Sequence, residues 1–470
     1  MAFQFDRRAV SNAALAAIAA VLAFAVALLA PQTLSDGDSF WHVAAGQWML
    51  EHHEVIRRDT FSFTFAGRPW DTHEWLAEVA MALAYRAAGW VGVAGLTGVA
   101  ASAVIGLTAA RLRRYLSPVG TIVGLALVAG CLAPNLLARP HFLVLPLLVL
   151  WTGALLDARA QDRAPSWLWL PVMMIWANAH ASFLFGLLLV CPFALEALIA
   201  PPEQWRRTVR GWGLFGLGAA LAALLTPHGL NGLLFPLKVG GMGSLASIVE
   251  WRSPDFQHLP PVEIAILAAV YILLSRGVKV PPIRLMLLLA LLYMTLGHVR
   301  HETLLVLIGA PILAQLLASP SAREPHADRA FGLLAAGATA GAMILLFGAR
   351  LLMPPPAADS AVSPASALSH VSPQLARLPV LNSYDLGGYL IFRGVRTFID
   401  GRTDMYGDAF NARYDAIMQP DRAAFDMAAG QYGLAWTFLT PSSPLIPLLD
   451  ASPQWRRLYA DRYAVIHVRR

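Results

Sequence analysis

The stretch SNAALAAIAAVLAFAVALLAP, residues 11–31, carries no charged side chain. As a helix rising about 1.5 Å per residue it is long enough to cross a hydrocarbon layer of roughly 30 Å. Arg7 and Arg8 lie just before it, and a basic start with an apolar core is also what a signal peptide offers. Similar apolar blocks recur near 91–110, 117–137, 141–156, 166–178, 182–200, 212–226, 261–275, 283–297, 302–318 and 330–353. The first block therefore reads as an anchor. The chain is 57% hydrophobic and 14% charged, against roughly 25% charged in soluble domains. The expected fold is a polytopic α-helical membrane protein of about eleven transmembrane helices. External interface helices and a small α/β soluble domain complete it. Helices are the state that satisfies the backbone in lipid, and the alternation of a membrane barrel is absent.

Arginine placement sets an orientation. Arg7, Arg8, Arg111, Arg159, Arg163, Arg206, Arg207, Arg210, Arg276, Lys279, Arg284, Arg323 and Arg329 fall on one side if every block crosses. That side is expected to be cytoplasmic, with the amino terminus, and the tail external. The net charge of +6 belongs to these loops and not to a nucleic-acid surface. Cys131 and Cys191 sit in apolar blocks, where neither a disulfide nor a Cys-based metal site is indicated. The expected organisation is a transmembrane domain over 1–354 with a first external loop at 33–90, a linker at 355–375, and an external α/β domain at 376–470.

The first external loop begins SDGDSFWHVAAGQWML and later reads RPWDTHEWLAEV. Trp41, Ala45, Trp48 and Met49 can share one helical face, and Trp75, Val79 and Leu83 another, as helices along the membrane interface do. Asp36 and Asp38 read as helix caps when each is taken alone. With His42, Asp59, Asp71, His73 and Glu74 they can instead line an acidic pocket. Asp38, walled by FWH, is the first catalytic candidate, followed by Asp36, Glu74 and His73. A carboxylate there can accept a proton from an attacking hydroxyl, or Asp38 and Asp36 can hold a divalent cation beside a phosphate. Both roles stay open.

Arg139 lies in one external turn and Arg300 with His301 in another. A guanidinium there can snorkel, or it can present its planar fork to phosphate oxygens. WANAHASF places Asn178 and His180 at a small-residue turn, and EWRSPDFQH adds Glu250 to an external loop. In the tail, short apolar segments PVLNS, GGYLIFRG, VRTFID, GLAWTFLT and RYAVIHVR read as strands, and 405–430 and 444–460 as helical. Gly387 and Gly388 can turn the chain into a strand, and Asp400 with Gly401 can turn it out of the next. Arg402 and Asp404 would then stand at a strand end as binding residues.

The SDGDSFWH loop, the DTHEWLAEV helix, the WANAHASF turn and the soluble domain after the spans together resemble the type C membrane glycosyltransferases. The likeness is to bacterial relatives of enzymes that transfer mannose or aminoarabinose from a polyprenyl phosphate carrier. The tail also resembles bacterial multispan proteins that carry GGYL followed by IDGR. The resemblance implies a bacterial inner-membrane enzyme that moves a sugar from a polyprenyl phosphate donor to an external glycan, lipid or protein, by one inverting displacement. It gives Asp38 or Asp36 the central carboxylate and Arg139 and Arg300 the donor phosphate; His301, Asn178, His180, Glu250, Arg402 and Asp404 are the further substrate-binding candidates read from the loops, turns and tail. The family often has two adjacent acids where this chain has Asp-Gly-Asp, so base and cation ligand remain alternatives. A transporter of a lipid or polar solute, or a noncatalytic envelope-assembly protein, are the other readings. A transporter would place its ionisable residues nearer the bilayer midplane.

Overall fold

The computed structural model describes residues 7–199, 205–318, 329–355 and 359–470. Arg323 and residues 356–358 of the expected linker lie outside the described residues. The chain forms two compact units. One joins Met1–Ala30, Ala94–Pro236 and Ala246–Leu352; the other joins Pro31–Val93, Leu237–Leu245 and Met353–Arg470.

The first unit is helical, and every apolar block coincides with a helix. They include Arg7–Leu29, Pro118–Leu132, Leu145–Ala160, Leu170–Ala179, Phe183–Leu198, Pro261–Ser275, Pro282–Gly297, Glu302–Leu316 and Arg329–Leu351. Among the described residues five helical segments are long and apolar enough to cross a membrane: Trp75–Leu112, Pro118–Asn135, Pro140–Ala160, Val299–Leu316 and Gly332–Leu351. Five further apolar helices are shorter. The chain is thus a multispan α-helical membrane protein, but length alone does not support eleven crossings. The Trp205–Ala223 helix is amphipathic because Arg206, Arg207 and Arg210 occupy its first turns. The sequence reading missed a Gly229–Gly240 helix.

In the second unit the Asp38–His52 helix and the first part of the Trp75–Leu112 helix are the two helices expected between the first and second apolar blocks. The latter breaks at Ala88 and Gly89, where Gly89 takes φ 58° and ψ −147°, a conformation that needs glycine. The tail carries a mixed sheet of β1 (Val380–Asn382), β2 (Trp436–Leu439), β3 (Trp455–Ala460) and β4 (Val465–Arg469) in the order β1-β2-β4-β3. β1 runs parallel to β2 and the remaining pairs are antiparallel. Strand alternation sends Val380, Trp436 and Phe438 to one core with Leu386 and Leu390, and Leu381 and Leu439 to another with Phe398 and Phe425. Phe65, from the first external loop, is buried in the second of these cores. Each such side chain contributes about 1.5–3 kcal/mol by burial.

Three tail segments depart from the sequence reading. GGYLIF is a helix, Gly387–Phe392, because Leu386 and Leu390 lie one turn apart and both fill the core. Its glycines serve close approach and do not form a turn: a Cβ on Gly388 would meet the Gly37 carbonyl oxygen at 2.1 Å, and one on Gly387 the Ile399 oxygen at 2.5 Å. VRTFID pairs only through an isolated bridge, Thr397 to Ser62, with hydrogen bonds from Phe63 N to Thr397 O and Thr397 N to Phe61 O. The first external loop takes the place of a neighbouring strand. The 444–460 segment divides into an Ile446–Asp450 helix and β3. Within 355–375, Ala365–Ser369 is helical and Ala367 and Val371 are buried in the core.

Candidate functional site

In the second unit the Asp38–His52 helix presents Asp38, His42 and Gly46 at four-residue spacing, hence along one face. A Cβ on Gly46 would meet the Glu78 carbonyl oxygen at 2.0 Å, so the absent side chain lets this helix approach the start of the Trp75–Leu112 helix. Glu74 and Glu78 are likewise one turn apart. His42 Nδ1 lies 3.2 Å from Glu78 Oε1, and His42 Nε2 lies 3.8 Å from Glu74 Oε2. One ligand atom from each of the three residues falls within 4.8 Å of the others, which makes the cluster a candidate divalent-cation site. Ligands each about 2.1 Å from one ion stand at most about 4.2 Å apart, so small side-chain shifts suffice. Glu78 Oε2 is buried without a hydrogen-bond partner, the condition expected of an oxygen that a cation would satisfy.

His73 and Asp404 adjoin this cluster. Burial opposes the charged imidazole of His73, but Glu74, 3.5 Å away, and Asp404 outweigh it and raise its pKa. Lost hydration raises the Asp404 carboxyl, with His73 opposing and Glu74 reinforcing that rise. Asp38 and Asp36 are half-buried. Asp36 Oδ1 accepts the Asp38 backbone N–H at 2.7 Å just ahead of the helix, whose cap position is Gly37, while Asp38 Oδ1 accepts from Trp41 Nε1 at 3.0 Å. A Cβ on Gly401 would lie 1.8 Å from Asp38 Oδ1, so the IDGR glycine receives this carboxylate.

Arg402 is sealed inside the unit. Its Nε and Nη2 donate to Asp400 at 2.7 Å each, and its Nη1 donates to Asp59 at 2.6 Å. The guanidinium lies over the Trp70 ring at 4.7 Å. Burial alone would raise the Asp400 carboxyl, yet Arg402 and Tyr406 hold it below its ordinary value. The expected binding arginine is therefore an internal ion pair that fastens the 33–90 segment to the tail.

The first unit gathers a second constellation. Arg139 stands at the start of the Pro140–Leu143 helix, and its Nη1 is 2.7 Å from Glu250 Oε1. Arg139, with His141 and Arg300, pulls the Glu250 carboxyl down to about 2. Arg300 lies 4.4 Å over the Trp251 ring. His298 Nδ1 donates to Trp251 O at 2.7 Å, and the His298 and His301 rings are 5.4 Å apart. The His141 and His180 rings are 6.3 Å apart. Ser182 N donates to His180 Nδ1 at 3.0 Å, which leaves the proton of the neutral ring on Nε2. Asn178 serves as a staple, donating to Met174 O at 2.8 Å and Leu225 O at 2.9 Å.

Of the sequence candidates, Glu74, His73 and Asp404 thus meet in one unit, and Arg139, Glu250, Arg300, His301 and His180 in the other. The sequence reading missed Glu78 and named His42 only as one member of an acidic pocket. The signals available were the four-residue spacings Asp38-His42-Gly46 and Glu74-Glu78. If the acidic cluster takes a cation, Mn2+ affinity in the full-length protein should fall about tenfold or more on His42→Ala or Glu74→Gln, on the scale of losing one metal ligand or its support. Titration followed by electron paramagnetic resonance reads this directly, and equal affinity in both variants would remove the cluster from consideration.

No protein-family model matches the chain, and no curated protein matches it in sequence. Solved structures do match in fold. The archaeal oligosaccharyltransferase AglB from Archaeoglobus fulgidus, in complex with an inhibitory peptide and a dolichol-phosphate, aligns at a TM-score of 0.58 and 11% identity, over 90% of this chain and 69% of that one. The apo form of the Archaeoglobus fulgidus oligosaccharyltransferase aligns at 0.56 with the same identity and coverage. ArnT from Cupriavidus metallidurans, bound to undecaprenyl phosphate, aligns at 0.52 and 11% identity over 96% of this chain and 97% of that one. The chain therefore shares the fold of these proteins across nearly its whole length.

Proposed function

We propose that this protein is a membrane glycosyltransferase that moves a sugar from a polyprenyl phosphate carrier to an external acceptor. The observation that carries the reading is the gathering of Arg139 and Arg300 with four histidines in the membrane unit. A fork of N–H donors with imidazoles beside it suits a lipid-borne phosphate. Two of the fold relatives hold a lipid phosphate, dolichol-phosphate and undecaprenyl phosphate. The proposed topology has eleven crossings, with the amino terminus cytoplasmic and the tail external.

In the proposed reaction a carboxylate, Asp38, accepts the proton of the acceptor hydroxyl. The hydroxyl oxygen bonds to the anomeric carbon as the carbon–oxygen bond to phosphate breaks, and the electron pair leaves on the phosphate. One displacement inverts the anomeric centre. A divalent cation held by His42, Glu74 and Glu78 would supply positive charge within the second unit.

Binding of a radiolabelled polyprenyl phosphate sugar to the full-length protein in nanodiscs tests the reading. Arg300→Ala and Arg139→Ala should each weaken binding by about tenfold or more, the scale of a hydrogen bond to a charged group. Arg300→Lys should restore charge without the planar fork and recover affinity only in part. Undiminished binding in both alanine variants would overturn the donor-phosphate assignment.

A further inference from the structure

Two helix ends and an extended segment of the second unit bring three arginines to one cavity. Ser372 caps the Pro373–Ala376 helix by accepting from Leu375 N, and Arg377 closes that helix at its other end. The Gly387–Phe392 helix ends at Arg393, after which Gly394 takes φ 76° and turns the chain back. Val395 N then donates to Leu390 O at 2.9 Å and its side chain is buried in the core. Its neighbour Arg396 is exposed, as alternation along an extended segment requires. Arg377, Arg393 and Arg396 line a cavity of about 430 Å³, with Phe63, Pro379 and Val395 among its walls.

No carboxylate lines this cavity, and among the described residues none of the three guanidiniums forms an ion pair. Other arginines of the unit are matched: Arg86 with Glu51, Arg402 with Asp59 and Asp400, Arg422 with Asp426, and Arg457 with Asp450. Arg393 lies 6.0 Å from the centre of the buried Tyr389 ring, the outer limit of a cation–π contact, and that contact uses none of its N–H donors. Asp359, which also acts on Tyr389, does not line the cavity and accepts from Ser366 N at 3.2 Å. An arginine at a helix end can serve only the dipole there, but Arg396 stands on no helix and a four-residue helix offers little dipole to Arg377. The volume falls in the range of small-ligand sites, roughly 300–1,000 Å³, and exceeds what a bare phosphate fills. We propose that this cavity binds a phosphate ester, the phosphate on the guanidinium forks and the organic part against Phe63 and Pro379. Planar forks match phosphate oxygens two at a time. The site shares no residue with the His42, Glu74 and Glu78 cluster or with Arg139 and Arg300, and it stands independently of the donor reading.

Isothermal titration of the full-length protein in an uncharged detergent tests this, with glucose 6-phosphate as a soluble ester and glucose as its uncharged control. A lipid headgroup as the source of the phosphate is tested by the same titration with dihexanoyl phosphatidylglycerol, against zwitterionic dihexanoyl phosphatidylcholine. Arg377→Gln, Arg393→Gln and Arg396→Gln should each weaken binding of the ester by about tenfold, the scale of a hydrogen bond to a charged group. Arg396→Lys should recover part of that loss, since it restores charge without the fork. All three side chains are exposed, so the thermal transition should stay at its wild-type position and show that the fold is kept. Binding of either ester that the three glutamine variants weaken upholds the site, and the tighter of the two identifies the source. Binding of neither ester, equal binding of glucose, or binding that Arg300→Ala removes and the glutamine variants do not, would overturn it.

Discussion

Arg402→Met is expected to destabilise the second unit by about 3–5 kcal/mol, the usual cost of leaving buried charges without their partner. Asp59 and Asp400, both with fully buried side chains, would lose a guanidinium bound at 2.6 and 2.7 Å. Asp59 would keep its bonds from Phe61 N and Ser62 N, at 3.0 and 3.1 Å, but not its countercharge. The variant should also change the response to pH. In wild-type protein the folded-state pKa of Asp400 lies below its ordinary value. That contribution is present above the unfolded value of about 3.9 and is lost as pH falls through the lower folded value. Without Arg402, burial drives the same carboxyl upward, and stability should decline as pH rises. The thermal transition of Arg402→Met, followed by tryptophan fluorescence, should therefore lie closer to wild type at pH 5 than at pH 8. A constant gap across that range would mean that packing over Trp70 and Phe61 accounts for the loss. Arg402→Lys should rescue poorly, since one ammonium cannot reproduce forked donation to two carboxylates.

Asp38→Asn is expected to lower sugar transfer by about 100-fold or more, the scale of removing a positioned general base. The fold should survive, because the asparagine oxygen can still accept from Trp41 Nε1, now 3.0 Å from Asp38 Oδ1. Donor binding should be retained if the carboxylate takes the proton. Joint loss of donor and cation binding would assign it to the cation instead. Gly401→Ala offers an independent check, since its Cβ would fall 1.8 Å from Asp38 Oδ1 and must displace that oxygen without changing its chemistry. Transfer should drop in this variant too. Normal turnover of a verified donor by purified Asp38→Asn protein would move the search to Asp36 or Glu74.

What the sequence determined by itself is local. Apolar runs without charge specify helices wherever they occur, because each must close its own hydrogen bonds in lipid, and the expected blocks all coincide with helices. Trp436 to Leu439 and Val465 to Arg469 were legible as strands for a similar reason, since alternation with β-branched and aromatic residues is a short-range signal. GGYLIF misled because a short apolar run fits a buried strand or a buried helix equally well. Tertiary contact made that choice, as it decided why the glycines are there: Gly388 faces Gly37 and Gly401 faces Asp38, on a segment far away in sequence. The same limit hid the candidate site. Glu78 lies inside an apolar helix, and only the approach of Gly46 brings His42 to it. Arg402 looked like a ligand-binding residue from its neighbours, but Asp59, 343 residues away, makes it an internal ion pair. Spacing along a helix can put two side chains on one face, but which distant surface that face meets is settled by packing of the whole unit.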